Sequence, residues 1–312
     1  MESKLILTDL RNYPKIQEKL DCNAFTFLPV SNKTIRNFDN DERVFAVVGS
    51  RALVRSLESI ALPSCKLVQL ESTGYDDINI EYFSNNGIAL CNASGIYNNC
   101  LAEYVVYAML SHAKRFHKSM KWNFERPLRN YHYMSEVAGK TVGIMGTGSI
   151  GTSVAKRLTG FNVKIIGYAR KSNNVNHFDE IYHQDTFFDF LSKCDYLVNI
   201  LPHTPYTKEL LNIDAFNHLK KDVVFINIGR ESVYNKKALL DFFKNNREAT
   251  AVLDIFEYPI IRWLNPLRWC PNIKIYPRIA AISKESENSG YKLFSDNIMR
   301  AYNDDVLINR IN

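Results

Sequence analysis

No two cysteines in the chain stand at CxxC spacing, and none of the six (Cys22, Cys65, Cys91, Cys100, Cys194, Cys270) has ligand-like spacing from a histidine. The common signatures of a structural metal site and of a disulfide framework are therefore missing. No apolar run approaches membrane-spanning length. The amino terminus, MESKLILTDL, has charges on both sides of a short apolar stretch, too interrupted for the apolar core of a signal peptide, so it reads as a first strand. Runs of like charge are absent too: the net charge of +6 comes from 39 basic and 33 acidic residues that are scattered along the chain. That pattern points to a mixed, solvated surface, not to a nucleic-acid or membrane patch. There is no repeat of fixed period and no low-complexity segment. The expectation is a cytoplasmic protein with free thiols, no metal, no membrane and no nucleic acid.

What is present is an alternation of short apolar runs with longer helix-permissive stretches. At 312 residues, 46% hydrophobic and 23% charged, the chain has room for roughly two domains, each with its own core. KLILTD, FTFLPV, RVFAVVG, CKLVQL and GIALCN have strand length, with polar stretches such as 31–41 and 51–60 between them. Residues 99–120, NCLAEYVVYAMLSHAKRFHKSM, carry apolar residues at helical spacing. From Lys140 a second series begins, TVGIMG, VKIIGY, DYLVNI, DVVFINI and ATAVLDI, with helical segments around 150–160, 186–193, 213–220 and 235–245. Near-continuously apolar strands that alternate with helices indicate parallel sheets covered on both faces, an α/β doubly wound architecture.

The strongest local signal is TVGIMGTGSIGTSVAKRL, in which Gly146, Gly148 and Gly151 form GxGxxG directly after an expected strand and open a helix with Ser149 and Ile150. A pyrophosphate needs a tight turn, a backbone it can approach, and the free N–H groups and partial positive charge of a helix amino terminus. A dinucleotide site follows. The end of the next strand then bears on which dinucleotide. An acidic residue there, ~20 residues on, would accept hydrogen bonds from the ribose hydroxyls of NAD. This chain has Tyr168-Ala169-Arg170-Lys171-Ser172. A carboxylate would repel a 2′-phosphate, whereas Ala169 makes room and Arg170, Lys171 and Ser172 offer donors to it. NADP(H) is preferred over NAD(H) on this reading, the alternative being a basic turn that faces solvent.

With this fingerprint placed, the segments LESTGYDDINIEYFSNNGIALCNASGIYNNCLAEYVVYAML, GKTVGIMGTGSIG, LPHTPYTKELLN, INIGRESVYNKKALL, AVLDIFEYP and PNIKIYPRIAAISKE occur in one collinear order over about residues 44 to 290. In that order and spacing the chain resembles the D-isomer-specific 2-hydroxyacid dehydrogenases. The resemblance implies a Rossmann cofactor domain, residues 99–282, inserted into a flavodoxin-like substrate domain made of residues 1–98 and 283–312, with the active site in the cleft between them. It implies that the backbone N–H groups of Ser72, Thr73 and Gly74 meet the substrate carboxylate. Arg230 is expected to clamp that carboxylate and the carbonyl oxygen, a task that suits a planar, permanently charged fork. It further implies that Pro202, Thr207, Ile228 and Asp254 belong to the cofactor site, and that the stretch with Trp122, Phe124, Tyr131 and Tyr133 forms an arm between two cofactor domains of a homodimer.

Three positions depart from the family pattern. Glycine after the arginine is replaced by Glu231. The loop Asp254-Ile255-Phe256-Glu257-Tyr258-Pro259 is one residue short, so that either Glu257 takes the orienting role one position displaced or Tyr258 occupies the place. The residue after the proline of TPHIA, the family's proton-donating histidine, is Arg278 in IYPRIAAIS. A histidine gives and takes a proton near neutrality, whereas a guanidinium, with a pKa above ~12, stays charged. Three readings follow. The protein reduces a small acidic substrate with Arg278 as a fixed cation and with water, Tyr258, Tyr276 or Lys284 as proton source. Or the acceptor is another polarised double bond. Or the chain binds NADP(H) without chemistry, as a sensor or interaction protein. His203, in LPHTPYT, is read as structural or cofactor-adjacent rather than catalytic.

Overall fold

Every strand among the described residues runs parallel to its sheet neighbours, so each sheet is built by crossovers and is covered on its faces. The computed structural model describes residues 3–20, 24–115, 134–171, 174–254 and 265–312. The chain divides into two compact units, Met1–Ile96 with Ser283–Asn312, and Tyr97–Ile282.

The first unit contains β1 (Lys4–Thr8), α1 (Pro14–Gln17), β2 (Phe25–Pro29), β3 (Val44–Gly49), α2 (Arg51–Ser56), β4 (Leu67–Leu70), α3 (Ile80–Asn85) and β5 (Ala89–Cys91). The strand order is β2-β1-β3-β4-β5, the flavodoxin-like arrangement, which reverses direction between β1 and β3. β3 is buried at all six positions, as its unbroken apolar run requires. The helix-permissive stretch 31–41 holds a short 3₁₀ turn, Thr34–Phe38, organised by the Ser31 and Thr34 hydroxyls. Local side-chain bonds of this kind compete with an α-helix.

The second unit begins with α4 (Asn98–Ala113) and continues through β6 (Thr141–Met145), α5 (Ser149–Leu158), β7 (Lys164–Tyr168), β8 (Glu180–Tyr182), α6 (Phe187–Lys193), β9 (Tyr196–Asn199), α7 (Ile213–Asn217), β10 (Val224–Asn227), α8 (Lys236–Asn245), β11 (Thr250–Leu253) and β12 (Ile273–Ile275). Its seven strands lie in the order β12-β11-β10-β9-β6-β7-β8, the doubly wound Rossmann pattern, with its reversal between β6 and β9. α4 ends at Ala113, where Lys114 and Arg115 close the helix and Arg115 turns left-handed at φ 48°. The remainder of the expected 99–120 helix, from residue 116 on, lies outside the described residues, as does the aromatic stretch from Trp122 to Tyr133. α4 packs its buried Leu101, Ala102, Val105 and Met109 on β6, β9 and β10. The chain then returns to the first unit as α9 (Lys284–Tyr302), capped by the Ser283 hydroxyl on the N–H of Ser286. Among the described residues no helix is long and apolar enough to cross a membrane.

Candidate active site and cofactor site

The carboxyl ends of β6, β9 and β10 carry the loops with Gly146 to Gly151, Pro202, Thr207, Ile228 and Arg230, and two glycines let these loops touch. Gly146, at φ 107°, takes a left-handed conformation that side chains disfavour. A Cβ there would lie 3.5 Å from Leu201, and a Cβ on Gly229 would lie 2.9 Å from the backbone of Ile200 and Leu201. The Ile200–Leu201 backbone is thus held between the glycine-rich turn and the Arg230 loop. Its register is set by two fully buried asparagines at the strand ends. Asn199 donates its side-chain amide to Asn227 at 2.7 Å, and its Oδ1 accepts from the N–H of Leu201. Sequence reading did not single out Asn199, Asn227 or Gly229; polar residues at the last position of two apolar strands were the available signal.

At the turn itself Gly151 is packed and Gly148 is open. A Cβ on Gly151 would stand 2.0 Å from the carbonyl oxygen of Gly146, whereas a Cβ on Gly148 meets no protein atom within 4 Å. Gly148 is also the N-cap of α5, and no side chain caps the helix there. The N-caps Ser50, Asn79, Asn212, Asn235 and Ser283 all accept from a backbone N–H with their side chains. The amino end of α5 therefore keeps its donors and its partial charge for an incoming anion, with room for it. Ser149 accepts a hydrogen bond from the Asn98 amide, and Ile150 is half-buried against the α4 side of the core.

After β7, Ala169 is buried and Arg170 and Lys171 are exposed; Ser172 lies outside the described residues. His183 stands beside them, its Nδ1 2.7 Å from the Ala169 carbonyl, a neighbour that sequence spacing of 14 residues did not reveal. In the loop after β9 the Thr207 hydroxyl donates to the Pro202 carbonyl at 2.6 Å and is itself buried, so this threonine closes its own turn. The Ile228 side chain is in the core below the site. His203 is exposed and its Nδ1 lies 2.7 Å from the Ser232 hydroxyl, which ties this loop to the one that carries Arg230. Arg230 donates its backbone N–H to Leu201 and is half-buried. Glu231 is 4% exposed and pairs with Lys236 Nζ at 2.9 Å, so a cation at the start of α8 balances its charge.

Asp254, at the end of β11, organises the stretch that contains Arg278. Its carboxylate accepts from the N–H groups of Ile279 at 2.8 Å and Ala280 at 3.1 Å, and its carbonyl accepts from Arg278 N–H at 3.0 Å. Burial raises the pKa of this carboxyl, against the opposing pull of those two N–H groups and of the Arg278 charge. Arg278 is held at φ 59°, an unusual conformation for a residue with a Cβ, and its side chain is exposed. Tyr276 sets its ring edge-on to Tyr104 of α4, with centroids 6.2 Å apart, and burial raises its pKa. Glu257 and Tyr258 lie outside the described residues. Among the described residues no group of three or more His, Cys, Asp or Glu side chains could hold a metal.

In the first unit, Ser72, Thr73 and Gly74 follow β4. The Ser72 hydroxyl donates to Gly74 O at 2.9 Å and the Thr73 hydroxyl to Ala93 O at 3.2 Å, while Asn92 donates its amide to Thr73 O at 2.9 Å. The side chains are thus committed to shaping the loop. The backbone N–H groups of these three residues donate to no protein acceptor among the described residues.

Residues 106–280 match the family described as D-isomer specific 2-hydroxyacid dehydrogenase, NAD binding domain. The "Probable 2-ketogluconate reductase" of Dictyostelium discoideum is 26% identical, with 100% of this chain and 96% of that protein covered. The glyoxylate reductase of Thermofilum pendens is 28% identical over 87% of this chain and 81% of its own length. Among solved structures, the NADPH-dependent glyoxylate/hydroxypyruvate reductase of Sinorhizobium meliloti, in complex with citrate, superposes with a TM-score of 0.82 at 24% identity and covers 99% of this chain and 97% of its own. That likeness carries the fold.

Proposed function

The chain belongs to the D-isomer specific 2-hydroxyacid dehydrogenase family of oxidoreductases, and from that premise we propose that it is an NADP(H)-dependent reductase of a small carboxylate-bearing 2-keto acid that has a second anionic group. The observation that carries this reading is the open, uncapped amino end of α5 at Gly148, joined through Ile200–Leu201 to the loop of Arg230. That turn fits a pyrophosphate, and Arg170 with Lys171 beside the buried Ala169 fits a 2′-phosphate. Held by these residues, a nicotinamide cofactor would supply hydride for the reduction of the carbonyl carbon. Arg230 binds the substrate carboxylate and stabilises charge on the carbonyl oxygen. The N–H groups of Ser72, Thr73 and Gly74 bind carboxylate oxygen, and Asp254 fixes the backbone from which Arg278 projects.

Arg278 binds the second anionic group and stabilises the alkoxide as a fixed cation; water gives the proton, and Glu257 is the orienting carboxylate. The relatives named above act on glyoxylate, hydroxypyruvate or 2-ketogluconate, which supports a keto acid over another polarised double bond. Homodimer formation through α4 and the segment after it belongs to the same reading, and light scattering at micromolar protein tests it against the 36.0 kDa of one chain.

Loss of NADPH absorbance with glyoxylate, hydroxypyruvate, 2-ketogluconate and keto-dicarboxylates tests the function. Turnover of a doubly anionic keto acid above glyoxylate is expected. Tight NADPH binding with no turnover of any of them would replace the enzyme by the second reading, an NADP(H)-binding sensor, which the arginine at position 278 favours.

A further inference from the structure

A second concave site lies in the same unit at the opposite, amino ends of the parallel strands. Whereas the glycine-rich turn follows the carboxyl end of β6, this cavity is bordered by Thr250 at the start of β11, by Asn272 just before β12 and by the end of α4. Its volume is about 460 Å³, within the ~300–1,000 Å³ typical of small-molecule sites. Ser111, His112, Arg115, Arg247, Glu248 and Lys274 line it. We propose that this cavity binds a small polyanion bearing phosphate or carboxylate groups, as a site separate from the cofactor turn.

Three cations reach the cavity from three different segments: Arg115 from the end of α4, Arg247 from the turn after α8 and Lys274 from β12. Glu248 is the one carboxylate among the described lining residues, so the described part of the wall carries a net positive charge. Arg115 and Arg247 form no ion pair among the described residues. The left-handed backbone at Arg115, closed by its N–H on the His112 carbonyl, holds the first of them at the cavity mouth. Ser111 also borders the cavity; it is only 7% exposed, and its hydroxyl, itself buried, has no hydrogen-bond partner in the protein among the described residues. A buried hydroxyl without a partner is costly. A phosphate or carboxylate oxygen held by the guanidinium groups supplies the acceptor that this hydroxyl lacks once the Ser111 side chain turns toward the cavity.

His112 reports on this field. Its pKa is lowered to about 4, first by burial, then by the charges of Lys274 and Arg115, with Asp222 opposing. The two cations are therefore close enough to act on the imidazole that they flank, and an anion between them reverses their effect.

The test uses the full chain, inorganic pyrophosphate as probe, and NMR of the His112 ring. Saturable shifts of the His112 signals are expected, with a higher pKa in the complex. The apparent affinity should fall about tenfold or more in Arg115→Ala/Arg247→Ala, as for lost charged hydrogen bonds, and should fall in Ser111→Ala as well. An Arg170→Ala/Lys171→Ala variant, altered at the other anion-attracting end of the unit, should leave the His112 response unchanged. A His112 ring that does not respond to millimolar pyrophosphate, including because a second copy of the chain covers it, would overturn the proposal. So would a response that survives in Arg115→Ala/Arg247→Ala and in the independent variant Lys274→Gln, or one that disappears in Arg170→Ala/Lys171→Ala.

Discussion

Replacing Arg278 by glycine, alanine and histidine in parallel separates what its backbone costs from what its side chain does. At φ 59° the residue sits in the left-handed region, and three backbone ties to Asp254, through the N–H groups of residues 278, 279 and 280, keep it there. That conformation costs a residue with a Cβ about 1–2 kcal/mol. Glycine removes the strain but loses about 0.5–1 kcal/mol more in chain entropy on folding. Arg278→Gly should therefore fold with a stability between that of the parent and about 1.5 kcal/mol above it. Arg278→Ala keeps the strain and loses only an exposed side chain, so it should stay within about 0.5 kcal/mol of the parent. The difference between the two variants, about 1 kcal/mol in urea unfolding, isolates the backbone term. Turnover should respond in a different way. Both variants lose the guanidinium, which as a charged hydrogen-bond donor is worth about 1.5–3 kcal/mol to an acidic substrate, or about 10–150-fold in kcat/KM. Arg278→His puts a titratable group at the site, and its rate with simple 2-keto acids should follow one ionisation near neutral pH, where the parent has none. A glycine variant less stable than the alanine variant would refute the strain argument, and unchanged kcat/KM in both would refute the place of Arg278 in the substrate site.

Three more expectations come from the same geometry. The double variant Arg170→Ala/Lys171→Ala should bind NADPH about tenfold or more weakly while NADH affinity holds, as read by cofactor fluorescence; equal affinities in the parent would contradict the 2′-phosphate assignment. Gly151→Ala, whose Cβ would overlap the Gly146 carbonyl at 2.0 Å, should lower stability by about 1–3 kcal/mol, whereas Gly148→Ala, with no protein atom within 4 Å, should leave Tm unchanged and weaken only cofactor binding. His112 has its pKa lowered from 6.5 to about 4 on folding, so the native state resists a proton that the unfolded chain accepts. Its contribution is fully present above pH 6.5 and is lost as pH falls toward 4, by up to about 3 kcal/mol. His112→Gln should flatten that part of the acid-unfolding curve, and an unchanged slope would show that the histidine does not control it.

The sequence by itself determined the elements whose signal is local. The central strands are continuous apolar runs because both faces of a parallel strand are covered, and β3, β6, β9 and β10 are legible for that reason. The turn at Gly146, Gly148 and Gly151 is legible because strand, turn and helix are contiguous, and the motif for the family lies in the same stretch. The edge strands β8 and β12, EIY and IKI, are three residues each and mixed in polarity. Only pairing with β7 and β11 makes them strands, and no periodicity can emerge from three residues. α9 escaped the sequence reading although its start is local, a Ser283 cap on the N–H of Ser286 with Glu285 and Glu287 in the first turn.

At the site, sequence supplied identities and tertiary structure supplied employment. That residue 278, directly after Pro277, is an arginine is a fact of the sequence. That Asp254, 24 residues earlier, spends its carboxylate on the N–H groups of residues 279 and 280 and so holds Arg278 left-handed is decided by the pairing of β11 with β12. Glu231 reads as a charge added beside Arg230 until Lys236 is found opposite it. The cavity at Ser111 draws its lining from α4, the turn after α8 and β12, more than 150 residues apart at the extremes. Charges so far apart in sequence converge only when the chain has folded, because electrostatic and hydrogen-bond energies depend on distance in space and carry no trace along the chain.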